Sequence, residues 1–375
     1  MPPPMIDTHC HLDVPAFADD VDAAVARATS AGVIGMLVPA IRPSMWPALA
    51  ALVERHRDAG LRLAIGVHPQ IVPELAPGEI GGIDDRAIRE QALGRIDDRA
   101  VREQELARID DRAIREQALG RIDDRAIREQ ALGRIDDRAI REQELGVVDD
   151  RAIREQDIDA IAAWIAREAS AYRAIAIGEC GLDGATGDMP RQEALFRAHL
   201  RAARITGLPL VVHVLRAHDA APRILREELS GPRTSEGDRP LQPAIEGDRP
   251  LQPATLSGAR TSASDAVVGV LHSYSGGADL VGVYRDLGFA FSFAGPVSYA
   301  NARKPVEAAR VIPPELLLAE TDAPDQAPEG HRGGRSEPAF VAAVIAGLAA
   351  ARAQTAEEIA ALTTANARRI FRSWE

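Results

Sequence analysis

The sequence predicts an α/β chain folded as a single (β/α)8 TIM barrel, and three observations carry that prediction. Eight short apolar segments alternate with helix-forming stretches rich in Ala, Arg and Glu. Residues that seek metals stand at the C-terminal ends of those segments, on the rim where such barrels keep their chemistry. Two low-complexity repeat tracts can be set aside, and the roughly 270 residues that remain match the ~250 typical of one barrel.

Strands are expected at 5–8, 35–40, 63–67, 174–178, 209–213, 267–271, 289–293 and 316–319, each a short apolar run with polar or turn-forming residues beyond it. Helices are expected at 18–31, 47–59, 190–206 and 220–229, with a further packed, Ala-rich helix around 339–351. A doubly wound open sheet is the competing architecture. It would carry a Gly-rich phosphate turn after its first strand, and here His9-Cys10-His11 occupies that place.

The barrel domain spans 1–375 and is interrupted twice. From Ile83 to Gln156 a 13-residue unit recurs, with Asp pairs beginning at Asp84, Asp97, Asp110, Asp123, Asp136 and Asp149. Each unit offers an Asp suited to capping and good helix formers. Its Ile and Leu residues do not hold one helical face, so a solvated arm is expected over 83–156, on the catalytic side because it follows the third strand. Between 230 and 264 lies a Pro/Gly/Ser-rich stretch in which Glu-Gly-Asp-Arg-Pro-Leu-Gln-Pro-Ala begins at Glu236 and again at Glu246. Such composition packs no core and reads as a loop.

At 46% hydrophobic and 27% charged, the chain has ample material for one large core. No apolar run reaches membrane-spanning length and no export signal is recognisable, so no membrane association is expected. Cys10 and Cys180 give no disulfide framework, which suits a reducing cytoplasm. The net charge of −12 argues against a sequence-blind grip on nucleic acid through a basic face, while leaving room for a local phosphate site built around metal. Basic charge is almost all arginine, Lys304 being the only lysine.

The strand ends concentrate the chemistry. The first delivers Asp7, His9 and His11, the third His68, the fourth Glu179, the fifth His213, the sixth His272, and the eighth Glu320 and Asp322. Residues i and i+2 of a strand share a face about 6.6 Å apart along the backbone, so His9 and His11 can close on one ion. A surface His-x-His pair would be the bland reading of that motif alone. Five of the nine histidines on one rim, with carboxylates among them, are hard to explain by packing. Mixed imidazole and carboxylate ligands suit Zn²⁺, Mn²⁺ or Fe²⁺, and the carboxylates also admit Mg²⁺. Six candidate ligands exceed the needs of one ion with open positions, so two divalent ions sharing a carboxylate, roughly 3.5–4 Å apart, are expected. Two ions would acidify an attacking water. Cys10 and Cys180 should face away from the ligands, and His56 and His199 fall within helices as structural residues. His218, just beyond the fifth strand, is a further candidate for substrate contact.

In order, Asp7-Thr8-His9-Cys10-His11-Leu12-Asp13, Gly66-Val67-His68-Pro69, Ile177-Gly178-Glu179-Cys180-Gly181-Leu182-Asp183, Val211-Val212-His213, Leu271-His272-Ser273-Tyr274-Ser275-Gly276 and Glu320-Thr321-Asp322-Ala323-Pro324 resemble the TatD family of metal-dependent hydrolases and deoxyribonucleases. The resemblance covers the chain apart from the two tracts. It implies that His9, His11, Glu179 and Asp322 hold one ion and that Glu179, His213 and His272 hold the other. It also implies catalytic roles for Glu179 and Asp322, with His68 lining the substrate phosphate pocket rather than ligating. Arg332 and Arg335, with Glu337 in the loop 330–338, match a family pattern that could position a phosphate or form a structural ion pair. Ser273, Tyr274, Gly184 and Asp325 depart from the residues frequent at their positions, and bear on substrate preference.

The reaction expected is cleavage of a phosphodiester, with DNA or a similar substrate as a transient partner of a monomer. A small-molecule amide, lactone or ester hydrolase on the same site is the first alternative. Its carbamylated-lysine subgroup is disfavoured, because Glu179 stands where that lysine would be and Lys304 is far downstream. A non-enzymatic barrel whose repeat arm mediates assembly is the second.

Overall fold

The computed structural model describes residues 2–76, 78–81, 153–230 and 268–374. The strands are β1 (Met5–Asp7), β2 (Val33–Pro39), β3 (Leu61–Ile65), β4 (Ala176–Asp183), β5 (Leu210–Leu215), β6 (Gly269–Leu271), β7 (Phe289–Phe293) and β8 (Leu317–Ala319). They form one parallel sheet in sequence order. Past β8 the chain returns alongside β1. The Thr8 N–H donates to the Ala319 carbonyl at 3.2 Å, the Asp322 N–H donates to the His9 carbonyl at 2.9 Å, and Cys10 and Ala323 form a parallel bridge. The fold is therefore the eight-stranded barrel the sequence predicts.

Among the described residues the helices are α1 (Val21–Ser30), α2 (Trp46–Arg55), α3 (Glu155–Ala171), α4 (Met189–Thr206), α5 (Ala220–Ser230), α6 (Ala278–Asp286), α7 (Lys304–Val311), α8 (Val341–Arg352) and α9 (Ala356–Phe371). The Ala-rich stretch becomes α8, which buries Val341, Val344, Ile345 and Leu348 at helical spacing. A reciprocal cap starts α9: Thr355 Oγ1 accepts the Glu358 N–H at 3.1 Å, and Glu358 Oε2 accepts the Thr355 N–H at 2.9 Å. No single helix among the described residues is long and apolar enough to cross a membrane. The repeat arm expected over 83–156 and the loop expected over 230–264 lie outside the described residues except at their edges, where Glu155 opens α3 and Ser230 ends α5.

One side chain from every strand meets in a single cluster: Ile6, Leu37, Ala64, Ala176, Val211, Val270, Ala290 and Leu318. The cluster is closed at the strand starts by Ile370 and Phe371 of α9 and by Trp374, whose Nε1 donates to the Gly60 carbonyl at 2.6 Å. Thr364 and Asn366 of α9 donate to the carbonyls of Pro4 and Leu317, at 3.0 and 2.9 Å. That end of the barrel is thus shut, and the opposite end is left for chemistry.

Two strands differ from expectation in ways that matter there. β1 stops at Asp7, short of the histidines, and the bridge at Cys10 is what keeps the next residues beside β8. β4 runs on to Asp183 and contains Glu179, because its pairing with β5 slips between Ile177 and Cys180. An extra residue of this kind bends a strand and re-aims a side chain. Glycine permits it: Gly178 has φ +148, and a Cβ on it would lie 2.5 Å from the Val211 carbonyl oxygen. On the other flank, a Cβ on Gly66 would lie 2.5 Å from the Gly178 carbonyl carbon, so β3 and β4 approach as closely as they do only without side chains.

Candidate metal centre

Glu179 is the hub. Its side chain is fully buried, and imidazoles crowd both of its oxygens. His9 Nε2 and His11 Nε2 stand 3.0 and 3.3 Å from Oε2. His272 Nε2, His68 Nε2 and His213 Nδ1 stand 2.7, 2.8 and 3.2 Å from Oε1. Asp322 joins the two halves, with Oδ1 3.7 Å from His9 Nε2 and 4.0 Å from His272 Nδ1. All six candidate ligands expected from the sequence therefore converge, two from β4 and β5 and four from the segments that follow β1, β6 and β8. Four of them, His9, His11, His272 and Asp322, lie beyond a strand end, and Asp322 sits at φ +52, a conformation costly for a residue other than glycine.

Despite these distances, neither oxygen of Glu179 has a partner in hydrogen-bonding geometry, and His9 Nδ1, His11 Nδ1, His213 Nε2 and His272 Nδ1 are likewise unsatisfied and shielded from water. Buried polar atoms left this way cost about 1–3 kcal/mol each. The nitrogens that face the carboxylate meet one another instead, His9 Nε2 with His11 Nε2 at 3.1 Å and His213 Nδ1 with His272 Nε2 at 2.9 Å, and a buried carboxylate ringed by imidazoles in this way suits a shared divalent cation. Burial alone would push the Glu179 carboxyl up, but the charges of His272, His68 and His9 and the contact with His11 hold it well below the usual range. Burial also opposes charge on His11, yet Glu179 raises it to about 9. His272 and His213 are raised against burial by the same carboxylate, helped on His213 by Asp183. A cation entering here displaces those protons, so binding strengthens as pH rises.

His68 belongs to the cluster by distance but differs in its proton. Its Nδ1 accepts the Gln70 N–H at 3.1 Å, which leaves the hydrogen on Nε2, 2.8 Å from Glu179 Oε1 but outside hydrogen-bonding geometry with it. A ligating nitrogen needs a free lone pair, so this tautomer suits a donor to substrate better than a ligand.

Carboxylates that the sequence placed at strand ends or inside the motifs pack behind the candidate ligands. Asp183 Oδ2 lies 3.4 Å from His213 Nε2 and accepts from Gln70 Nε2 at 2.8 Å, and its carboxyl is held low by these partners against burial. Glu320, fully buried, faces His272 Nδ1 at 3.6 Å and accepts the Ser273 N–H. Carboxylates behind ligating imidazoles fix ring orientation. Asp7 works underneath: it accepts from Thr321 N, Thr321 Oγ1 and His9 N at 2.9, 2.6 and 3.2 Å, tying β1 to β8, while burial pushes its carboxyl up to about 8. The signal for all three was carboxylates inside the motifs. Which of them ligate and which support depends on depth, and spacing does not report depth.

Cys10 and Cys180 are fully buried, each Sγ 3.6 Å from a carbonyl of the neighbouring strand, and burial raises both thiols. Arg335 is committed to structure: it pairs with Asp20 and Glu337 at 2.7 Å each, donates to the Ala16 carbonyl and lies over the Phe17 ring. A phosphate there would have to break both ion pairs, so the substrate contact expected of Arg335 gives way to the structural alternative. Arg332 keeps an exposed guanidinium stacked 4.1 Å above Tyr299. His218 is nested between Tyr284 Oη and Ser275 Oγ, at 3.0 and 3.2 Å, and burial pulls its imidazole down.

His199 carries a testable consequence. Buried on α4, its Nε2 accepts the Val67 N–H at 3.0 Å, fixing the backbone just before His68. Burial pushes its imidazole from 6.5 down to about 4. An unfolded chain takes up this proton as pH falls through about 6.5, whereas the folded chain resists until about 4. Stability is therefore fully present above the unfolded value and is lost as pH falls across that window, by up to roughly 3 kcal/mol. Urea unfolding at pH 7 and 4.5 should show a shallower pH dependence for His199→Gln than for the wild type. An identical slope would place the acid sensitivity elsewhere.

A family model described as TatD related DNase matches residues 6–372. The chain belongs to the TatD family. Its relatives include YabD of Bacillus subtilis, 32% identical over 56% of this chain and 70% of that protein. YcfH of Escherichia coli K12 is 33% identical over 52% of this chain and 62% of its own length, and YjjV of the same organism is 25% identical over 98% of this chain and 97% of YjjV. All three are described as uncharacterized metal-dependent hydrolases. The solved structure of YjjV, a TatD homolog, matches with a TM-score of 0.61 at 23% identity over 98% of both chains, which speaks to the fold. This TatD chain is accordingly a metal-dependent hydrolase. Its departures gather at the edge of the centre: Ser273, at φ +44, contacts Gln326, Tyr274 donates to the Gly277 carbonyl at 2.9 Å, and the Asp325 N–H donates to the Asp322 carbonyl at 2.9 Å.

Proposed function

We propose that the chain is a phosphodiesterase, and specifically a deoxyribonuclease, working with two divalent ions such as Mg²⁺, Mn²⁺ or Zn²⁺. The observation that carries this reading is the division of the centre about Glu179. Each oxygen faces its own imidazoles, His9 and His11 on one side and His213 and His272 on the other, as a carboxylate shared by two ions requires. The family model's description as a DNase supports the substrate class. Bound ions supply charge neutralisation and acidify the attacking water.

The chain's own residues do the rest. The Gln326 side-chain amide holds Asp322 Oδ2, which leaves Oδ1 facing the cluster to orient the water and accept its proton. Burial would raise the Asp322 carboxyl, but His272, His9 and His11 keep it low, so it is ionised at neutral pH. His68 offers its Nε2–H to a phosphoryl oxygen. Asp183 and Glu320 keep His213 and His272 turned inward.

The test is a substrate panel with the purified protein and added Mg²⁺ or Mn²⁺: single-stranded DNA, RNA, bis(4-nitrophenyl) phosphate, and a set of lactones. Cleavage of DNA and of the nitrophenyl diester, abolished by EDTA and restored by the metal, is expected. Turnover of lactones without any phosphodiester cleavage would move the site to small-molecule hydrolysis.

A further inference from the structure

A cavity of about 180 Å³ lies between the segments that follow β6, β7 and β8, lined by Ser273, Tyr274, Pro296, Val297, Lys304 and Gln326 among others. It shares a wall with the metal centre. Gln326 contacts both Asp322 Oδ2 and Ser273 Oγ, and Ser273 follows the ligand His272. A complete small-molecule site is usually about 300–1,000 Å³, so this space suits one part of a larger substrate. Its lining combines apolar residues, including Pro296 and Val297, with hydroxyl and amide groups, a mixture that suits a sugar ring.

Lys304 stands at its edge as the first residue of α7, where the positive end of the helix adds to its charge. It is the only lysine in the chain. It is exposed and makes no ion pair among the described residues, unlike Arg335 and Arg223, which acidic neighbours hold. A cation across one small cavity from the metal centre is placed to meet a second phosphate of a nucleic acid strand, in which one sugar separates successive phosphates.

Resting on the phosphodiesterase reading, we propose that this cavity holds the sugar next to the scissile phosphate and that Lys304 binds the phosphate beyond it. The site then favours substrates with two successive phosphates over isolated diesters, through a residue outside the metal centre.

The probes are thymidine 3′,5′-bisphosphate and the two thymidine monophosphates, titrated calorimetrically into Mn²⁺-loaded protein. The wild type should bind the bisphosphate about tenfold more tightly than either monophosphate. Lys304→Gln should erase that advantage while leaving monophosphate Kd within about twofold, Lys304→Arg should keep most of it, and salt should weaken it. An advantage missing from the wild type, or undiminished in Lys304→Gln, overturns the proposal. Hydrolysis of bis(4-nitrophenyl) phosphate is followed in parallel. Its absence in the wild type counts against phosphodiester chemistry, whereas a Lys304-dependent preference without turnover still supports the two-phosphate subsite.

Discussion

Glu179→Gln should lose bound metal and about 10³-fold of turnover together while remaining folded. The substitution keeps the shape of the side chain and removes its charge. Five imidazole nitrogens lie within 3.3 Å of that carboxylate, and the charge on His11, His213 and His272 depends on it. With a neutral amide in its place, those histidines titrate lower and no anion remains to bridge two cations. The amide also points an N–H pair at nitrogens whose lone pairs were meant for metal. Elemental analysis per mole of protein, kcat on bis(4-nitrophenyl) phosphate and far-UV circular dichroism separate the outcomes. A variant with full metal content and wild-type turnover would remove Glu179 from the centre.

Asp322→Asn should act differently, with kcat falling about 10²- to 10⁴-fold while much of the metal is retained. Gln326 donates to Oδ2, so the asparagine turns its own oxygen toward Gln326 and its NH₂ toward the cluster. The position that faces the reacting water then holds a donor in place of a base. The other ligands keep their places, because His9, His11, His213 and His272 are set by Glu179 and by the carboxylates behind them. The comparison is kcat at saturating Mn²⁺ on single-stranded DNA and on the nitrophenyl diester, alongside metal stoichiometry. Near-wild-type kcat would exclude Asp322 from proton transfer, whereas a KM effect alone would leave it as a ligand.

The barrel was legible because strand and helix alternate so regularly that eight segments could be counted, and β7 falls where the apolar run Phe289–Phe293 stands. The convergence of the candidate ligands was legible because each stands at or just past a strand end, and strand ends in a parallel barrel converge. Depth was not legible. Asp7, Asp183 and Glu320 carry the same carboxylate as Glu179 and Asp322, yet the first ties two strands together and the others steady imidazoles. Arg335 and Arg332 share one loop, and only the proximity of Asp20 and Phe17, more than 300 residues away in sequence, made one structural and left the other exposed.

By itself the sequence determined the fold class and which side chains meet, since periodicity and order along the chain place them on one rim. Only the tertiary structure decided the division of those side chains about the two oxygens of Glu179, the tautomer that sets His68 apart, and the cavity that brings Lys304 near the centre. Those depend on a one-residue slip in β4, a backbone hydrogen bond from Gln70 and the packing of three loops. Each joins residues distant along the chain, and a local pattern of residue types carries no information about such distances.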